Sequence, residues 1–231
     1  MNQLAVMIPA HNEAQRVGDV IDRVRSTLPE SCVFVVDSGS TDDTAAVATA
    51  HGATVISQGS AGYGGALQKG YTTLLQQDWS ALIQLDGDGQ HPPEAIPDLL
   101  RELEGADFVI ASREGTDSQG AWHRRLGNAG LSWAVFGLTG RRFHDVTSGM
   151  WALDRAAVTV LAEQLPTDTW DAGVRVLAHH AGLQMREVPV EMSERVTGES
   201  MHDGWSGPRH FFRSLRTSVR VAWRKQRSPT R

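Results

Sequence analysis

Short apolar runs alternate with segments of helical periodicity along the first half of the chain. The runs are four or five residues long, which suits buried strands. The predicted strands span residues 4–8, 33–36, 54–57, 81–85 and 108–111, and the predicted helices span residues 13–28, 62–76, 93–103 and a segment ending at 51. Ser40 and Thr41 are the expected caps of that last helix. Strands alternating with helices predict an α/β fold, in which a parallel sheet is covered by helices on both faces.

The second half of the chain is less regular. Its predicted helices span residues 126–139, 156–165, 171–181 and 210–224, and a late strand is expected within residues 185–192. Residues 113–127 and 193–209 have the composition of loops, and the segment RRFHDVTSGMWALD receives no element. Because the chain has no repeat and no low-complexity linker, we expect one domain, residues 1–208, followed by a basic amphipathic helix within residues 209–231.

Three polar clusters follow predicted strands directly. They are PAHNE after the first strand, DSGSTDD after the second and DGDGQH after the fourth. In parallel sheets the carboxyl ends of the strands form one edge, and ligands bind outside that edge. The three clusters are therefore expected to converge on one site.

The third cluster holds two carboxylates, Asp86 and Asp88, one residue apart in a Gly-rich loop. Like charges at this spacing repel unless water or a cation relieves them, and the usual relief is a hard divalent metal. An EF-hand is excluded, since His91 and Pro97 stand where that loop needs Gly and Glu. A tight turn in which the aspartates serve only as turn and cap residues is the alternative.

Charge is spread unevenly along the chain. The 231 residues carry a net charge of −5, yet residues 209–231 contain eight Lys or Arg and no Asp or Glu. A basic tail favours anionic partners such as lipid headgroups, whereas an acidic body without a nucleic-acid motif argues against nucleic-acid binding. Cys32 is the only cysteine, which argues against a disulfide framework and a Cys-based zinc site. No leader or spanning segment is evident, so a cytoplasmic protein, soluble or peripheral on the membrane, is expected.

An ordered set of motifs resembles one enzyme family. IPAHNE, VVDSGSTDDT, GYGGALQKGY and LDGDGQHPPEAIPDLL are followed by DFVIASRE, WHRRLGNAG, DVTSGMWALD and VPVEMSERVTGES. In this order they resemble the inverting family 2 glycosyltransferases of the GT-A fold, in the branch of dolichol- and polyprenol-phosphate sugar synthases. The resemblance covers roughly residues 4–202. It implies a nucleotide-sugar half, about 1–112, and an acceptor half, about 113–208.

The resemblance assigns roles on the donor side. It implies that Asp86, Asp88 and Gln90 hold Mg²⁺ or Mn²⁺, which neutralises the diphosphate of a GDP- or UDP-linked sugar. The residues that would line the nucleotide pocket are Pro9, Ala10, Asn12, Glu13, Asp37 and Gly64. Asp37 would recognise the base, and it does not choose between uracil and guanine. A plain turn ahead of a helix is the competing interpretation of the glycine run that includes Gly64.

On the acceptor side the resemblance implies phosphate-binding arginines. Arg113, Arg124 and Arg195 would bind phosphate groups and, with Asp88, carry the reaction. Asn128 and Ser200 would assist them, and Asp145 and Ser148 would shape the acceptor pocket. The arginines stand away from obvious acidic partners, but they could instead pair with Asp145 and Glu114 or only solvate the surface. If the acceptor were a sugar hydroxyl, Asp145 would be the leading general base.

The tail has an apolar stripe at helical spacing. Phe211, Phe212, Leu215, Val219 and Trp223 share one face, with arginines largely off it. Such a helix suits an anionic membrane surface, although it could equally pack its stripe on the body or on a second subunit. The expected function is sugar transfer to a polyprenyl or dolichyl phosphate at the cytoplasmic face of the membrane. Transfer to a saccharide or small-molecule hydroxyl, and a catalytically silent nucleotide-sugar-binding scaffold, are the alternatives.

Overall fold

A seven-stranded sheet forms the centre of the protein. The computed structural model describes residues 3–59, 62–113, 122–168, 171–192 and 206–226, with side chains omitted at 122–126, 171, 206–211 and 224–226. The strands are β1 Ala5–Ala10, β2 Cys32–Asp37, β3 Thr54–Ser57, β4 Leu82–Gln84, β5 Phe108–Ser112, β6 Trp151–Leu153 and β7 Met185–Pro189. Their order is β3-β2-β1-β4-β6-β5-β7, and every pairing is parallel except those of β6.

Helices cover both faces of this sheet, as the alternating pattern predicts. They are α1 Val17–Thr27, α2 Thr44–Ala50, α3 Gly62–Leu74, α4 Ile96–Leu103, α5 Trp122–Thr139, α6 Arg155–Gln164, α7 Asp171–His180 and α8 Ser206–Gln226, and a 3-10 turn, Pro93–Ala95, precedes α4. Side chains of β1 alternate between the two layers. Met7 packs in the core beneath α3, α6 and α7, whereas Ile8 packs in the core beneath α1 and α4.

Strand β6 is absent from the sequence prediction, and it determines the shape of the site. It has only three residues, all buried, and lies antiparallel between β4 and β5. A run so short carries no readable periodicity. Because Trp151 pairs with Gln84, the turn that precedes β6 lies beside the end of β4, and the acidic loop follows that end.

The capping prediction for α2 is wrong. The helix begins at Thr44. The preceding Asp43 makes no side-chain cap, and the Asp42 carboxylate accepts from the Thr44 N–H at 3.1 Å. The Ser40 hydroxyl instead accepts from the backbone N–H of Asn12, and the Thr41 N–H donates to the Asn12 side-chain oxygen. These two residues join the loops after β1 and β2, and this role replaces the one expected at the helix.

Helix α8 packs on α7 and α5 through small side chains. Ser214, Thr217, Ser218, Val221 and Ala222 are buried, whereas Phe212 and Trp223 are 67% and 61% exposed. The aromatic part of the predicted stripe therefore faces outward, and the alternative in which the stripe packs on the body is wrong for these two residues. None of the helices in the described ranges is long and apolar enough to cross a membrane.

Candidate active site

The polar loops after β1, β2 and β4 meet at one edge of the sheet. The Ser38 N–H donates to the carbonyl of Ala10 at 3.0 Å, and the Gly87 N–H donates to the carbonyl of Pro9 at 3.4 Å. The start of α3 joins the same edge, since the Ser38 hydroxyl lies 3.5 Å from the Gly62 carbonyl. The convergence expected from the parallel strands is confirmed.

The residues expected to line the nucleotide pocket lie on these loops. Ala10 and Asp37 end the neighbouring strands β1 and β2 and are paired in register. Asp37 accepts a hydrogen bond from the Ser40 N–H at 3.1 Å. Asn12 has a positive φ of 55°, which an Asn tolerates better than most residues, and its side chain fastens the turn. Glu13 pairs with Arg16 at 2.5 Å, and Gly64 is buried in the first turn of α3.

The acidic pair has two different environments. One oxygen of Asp88 accepts from the Gln90 N–H at 3.0 Å, so Asp88 does have the turn role considered from the sequence. The carboxylate of Asp86 lies against Gly149, where an added Cβ would come within 2.7 Å of its Oδ2 atom. A side chain at position 149 would therefore displace Asp86, and this close approach explains the glycine.

The donor set fits a hard cation that also binds a diphosphate. No group of three His, Cys, Asp or Glu side chains able to hold a metal is present within the described ranges. Asp86 and Asp88 supply two carboxylates, and Gln90 can add an amide oxygen. Mg²⁺ sites of this kind typically take one or two protein carboxylates and complete their shell with substrate phosphates and water.

His91 fixes the acidic loop from below. Its ring is 2% exposed, and its Nδ1 atom lies 3.1 Å from the Asp86 N–H. Burial lowers the pKa of His91 to about 4, from an ordinary value of 6.5, so the ring is neutral near neutral pH and Nδ1 can accept that hydrogen bond. The sequence discounts this histidine as a metal ligand, and the structure gives it a backbone-holding role.

Replacing His91 by Asn should reduce the sensitivity of the metal-free protein to mild acid. Between about pH 6.5 and pH 4 the unfolded chain binds a proton at this position and the folded chain does not, so acid in this window destabilises the wild-type protein. The slope for one such group is at most about 1.4 kcal/mol per pH unit. Urea unfolding across this window should show the free-energy difference between wild type and variant shrinking as pH falls. Parallel pH dependences would contradict the buried, neutral state of His91.

Arg113 and Asp145 form an ion pair near the acidic loop, since the charges of both act on His91. Arg113 follows β5, and its Nη1 atom lies 3.2 Å from Oδ2 of Asp145. The expectation that Arg113 stands away from acidic partners is thus wrong, and the alternative pairing with Asp145 is confirmed. The Arg113 side chain remains 36% exposed, whereas that of Asp145 is 3% exposed.

Asp145 is fully engaged within the protein. Its Oδ1 atom accepts from the N–H and hydroxyl of Thr147, and its Oδ2 atom faces Arg113. Burial raises the pKa of this carboxyl, but Arg113, the hydrogen bonds from Thr147 and the charge of Arg175 outweigh burial and hold the pKa below its ordinary value. Such a carboxylate is a poor proton acceptor at neutral pH.

Two predicted acceptor residues have other roles in the structure. The amide of Asn128 donates to the His144 carbonyl at 2.9 Å and accepts from the Val146 N–H at 3.1 Å, so both of its ends hold the turn before β6. The Ser148 side chain is wholly buried. Its hydroxyl lies 3.4 Å from the Met150 N–H, so Ser148, like Asn128, takes part in this turn. Of Arg124 only the backbone, in α5, is described, and Arg195 and Ser200 lie outside the described residues.

Three supporting residues escape the sequence analysis. Gln84 on β4 donates to the Gly149 carbonyl at 3.2 Å, Arg175 on α7 donates to the Ser148 carbonyl at 2.7 Å, and Glu187 on β7 accepts from the backbone of His144 and Asp145. A polar residue inside an apolar run, as in LIQLD or VRVLA, is the available signal, because buried polar groups need partners.

Comparison with known proteins agrees with this geometry. The family model described as glycosyl transferase family 2 matches residues 5–161. The polyprenol monophosphomannose synthase of Mycolicibacterium smegmatis is 32% identical over 220 residues, which cover 86% of this chain and 80% of that protein. The undecaprenyl-phosphate mannosyltransferase of Micrococcus luteus is 29% identical over 223 residues, with coverage of 87% and 88%.

Solved structures resemble the fold over nearly the whole chain. Mannosyl-3-phosphoglycerate synthase from Rubrobacter xylanophilus has a TM-score of 0.72 at 20% identity, covering 99% of this chain and 76% of that chain. Glucosyl-3-phosphoglycerate synthase from Mycobacterium tuberculosis, in complex with Mn²⁺, UDP-glucose and phosphoglyceric acid, has a TM-score of 0.70 at 22% identity, with coverage of 99% and 81%. The GT-A fold implied by the motifs is confirmed. Because the family model spans well over half of the sequence, this chain belongs to glycosyl transferase family 2 and is a glycosyltransferase.

Proposed function

We propose that the protein transfers a hexose or N-acetylhexosamine from a nucleotide sugar to a polyprenyl phosphate, with inversion, at the cytoplasmic face of the membrane. The relatives from Mycolicibacterium smegmatis and Micrococcus luteus, whose names specify polyprenol and undecaprenyl phosphate, support this acceptor. The observation that carries the proposal is the engagement of Asp145.

An acceptor hydroxyl needs a general base, whereas an acceptor phosphate does not. A phosphate monoester is already largely ionised near neutral pH and can attack directly. Asp145 is the leading base candidate for a hydroxyl acceptor, yet its oxygens are occupied by Thr147 and Arg113 and its pKa is lowered. The same ion pair orients Arg113, whose planar guanidinium suits phosphate recognition. A lipid phosphate is therefore favoured over a saccharide hydroxyl.

On the donor side, Asp86, Asp88 and Gln90 would hold Mg²⁺ or Mn²⁺. When bound, the cation neutralises charge on the diphosphate leaving group. Asp37 would accept hydrogen bonds from the base, and Pro9, Ala10, Asn12, Glu13 and Gly64 would surround the nucleotide. Mn²⁺ and UDP-glucose in the solved complex from Mycobacterium tuberculosis support this arrangement, although that protein shares only 22% identity with the chain.

The reaction would be a single in-line displacement at the anomeric carbon. An oxygen of the acceptor phosphate forms the new bond to that carbon, and the bond from the carbon to the diphosphate oxygen breaks. Arg113, Arg124 and Ser200 are proposed to bind the acceptor phosphate, and Arg195 is proposed to stabilise the leaving diphosphate. Asn128 and Ser148 would act through the turn that precedes β6.

The proposal is tested by identifying donor and product in turn. Calorimetric titration with GDP-mannose, UDP-glucose and UDP-N-acetylglucosamine should show one donor that binds with Mn²⁺ and is lost with excess chelator. When the protein is incubated with that donor and a polyprenyl phosphate, it should yield a polyprenyl glycosyl phosphate that partitions into organic solvent. A folded protein that binds none of these donors would contradict the proposed donor class.

Helix α8 is proposed to rest on an anionic membrane surface. The exposed aromatics Phe212 and Trp223 lie eleven positions apart, which is about three helical turns, and so share one face. The helix sequence contains no Asp or Glu, and its arginines lie along one side of that face. On neighbouring α5, Trp133 and Phe136 are also exposed, and Arg142 lies 5.4 Å from the Trp133 ring. Aromatic and basic side chains together suit the headgroup region.

Changing Phe212 and Trp223 to Ser should weaken binding to anionic vesicles by about tenfold or more, because each aromatic gains on the order of 1–2 kcal/mol when partly buried in lipid. Co-sedimentation with vesicles of stated anionic lipid content measures the loss. The control is Asp98→Ser with Arg101→Ser on α4, a helix that packs on the opposite face of the sheet. Unchanged vesicle binding by the variant would contradict the membrane role. If, in addition, the wild-type protein is a dimer and the variant is a monomer, the stripe is a subunit interface instead.

A further inference from the structure

One turn, residues 144–149, contacts both the donor side and the acceptor side of the site. On the donor side, Gly149 leaves the space into which the Asp86 carboxylate fits, and Gln84 holds the Gly149 carbonyl. On the acceptor side, Asp145 pairs with the guanidinium of Arg113 and also accepts from its backbone N–H at 3.4 Å. A shift of this turn would therefore move groups in both halves of the site.

The guanidinium of Arg175 lies beneath this turn. The residue is 0% exposed, and its Nη2 atom donates to the carbonyls of Ser148, at 2.7 Å, and Asp145, at 3.4 Å. The guanidinium carbon is 5.1 Å from the ring centre of Trp151, whose indole N–H donates to the same Ser148 carbonyl at 2.7 Å. Arg175 thus ties one position near each end of the turn to helix α7.

Burying an arginine side chain is unfavourable unless its charge is compensated. Desolvating a guanidinium is unfavourable by several kcal/mol unless hydrogen bonds and an opposite charge compensate, and an apolar side chain often stabilises such a position as well or better. Here the compensation comes from the two turn carbonyls and from the negative charge of Asp145, which feels the charge of Arg175 as well as that of Arg113. The benefit is geometric, because two carbonyls are held by one rigid group.

We propose that Arg175 is a positioning residue for sugar transfer, acting through the turn at 144–149 to set both Arg113 and Asp86. This inference rests on the proposed function, in which Arg113 binds the acceptor phosphate and Asp86 the metal. Arg175 touches neither substrate, and its effect is transmitted by the Asp145 and Ser148 carbonyls. A residue that only stabilised the fold would leave substrate and metal affinities of the folded protein unchanged.

The chain offers a matched control in Arg155. Its guanidinium also donates to two backbone carbonyls, of Leu75 and Gln77 at 3.2 and 2.7 Å, and also lies over an indole, 4.5 Å from the ring centre of Trp79. Those partners precede β4, whereas the acidic loop follows it. Arg155→Lys therefore makes the same side-chain change, with the same loss of paired donors, at the opposite end of the sheet. Arg155 is exposed, so this control involves no buried charge.

Arg175→Lys keeps the positive charge but loses the paired hydrogen-bond geometry. It should raise the KM for polyprenyl phosphate by about tenfold or more and weaken Mn²⁺ binding several-fold. Mutation of residues that support metal ligands typically has effects of this size. Mn²⁺ affinity is measured directly, from the free-ion signal in electron paramagnetic resonance. Arg155→Lys should leave both quantities unchanged. The effects of Arg113→Lys and Arg175→Lys on acceptor KM should be less than additive, since both act through one ion pair.

The outcomes separate this inference from the function on which it rests. If wild type transfers sugar to the lipid phosphate and Arg175→Lys matches it in KM and Mn²⁺ affinity, the positioning role is overturned and the function stands. If wild type shows no transfer but Arg175→Lys alone weakens Mn²⁺ binding, the proposed acceptor fails and the link from Arg175 to Asp86 is supported. If the Arg155 and Arg175 variants lose acceptor and Mn²⁺ affinity equally, both arginines contribute only to general stability, and the inference is overturned.

Discussion

Replacing Asp88 by Asn is expected to lower kcat by on the order of 10³-fold while leaving the fold intact. A bound divalent cation contributes several kcal/mol to stabilising a charged leaving group, and 1.4 kcal/mol corresponds to about a factor of ten in rate. The Asn side chain keeps an oxygen at the position that accepts from the Gln90 N–H, so the turn survives. Only the negative charge that is proposed to bind the metal is lost.

The control for this variant is Asp98→Asn on α4. Asp98 is an exposed residue paired with Arg101 at 2.9 Å, so the substitution makes the same charge change away from the site. Thermal unfolding of both variants should match wild type within a few degrees. Turnover of Asp88→Asn within about tenfold of wild type would remove Asp88 from the metal site.

Replacing Arg113 by Gln should both inactivate and destabilise the protein. The variant leaves the Asp145 carboxylate buried without its nearest cation. Because Arg113 is partly exposed and Thr147 and Arg175 still compensate the charge, the free energy of unfolding should fall by about 1–3 kcal/mol, less than for a fully buried pair. Loss of a guanidinium–phosphate contact should lower kcat/KM for the lipid phosphate by about 10². Urea unfolding and initial-rate kinetics measure the two effects separately.

The double variant Arg113→Gln with Asp145→Asn distinguishes structure from catalysis. With the buried charge removed, stability should recover by most of the loss seen in Arg113→Gln. Transfer activity should not recover, because the phosphate partner is still missing. Recovery of activity together with stability would show that Arg113 serves only to neutralise Asp145, and the acceptor assignment would fall.

The sheet was predictable because its signals are local. Strands β1 to β5 and helices α1, α3 and α4 each carry their own periodicity, and the sequence places them within a few residues of their observed ends. Strand β6 has three buried residues in a polar segment, so its place between β4 and β5 depends on tertiary packing alone. The caps proposed for α2 failed for a similar reason, since Ser40 and Thr41 bond to a loop 28 and 29 residues away.

In the candidate site, too, some features follow from local sequence and others depend on tertiary packing. Convergence of the loops after β1, β2 and β4 follows from parallel topology and needs no distances. The partner of Arg113 stands 32 residues away in the chain and is brought close by β6. The roles of Arg175 and Gln84 become visible only once the position of the turn whose carbonyls they hold is known. Sequence thus identifies the polar groups at this edge of the sheet better than the groups that hold them in place.

The most direct test of lipid-phosphate transfer is a competition between two acceptors. The protein is incubated with Mn²⁺, the nucleotide sugar that binds in the calorimetric titration, and equal concentrations of polyprenyl phosphate and the corresponding polyprenol in one detergent. The products are distinguished by mass. We expect glycosyl phosphate product from the lipid phosphate alone, because Asp145 is engaged with Arg113 and Thr147 and cannot activate a hydroxyl. Transfer to the alcohol with none to the phosphate would contradict the proposed chemistry.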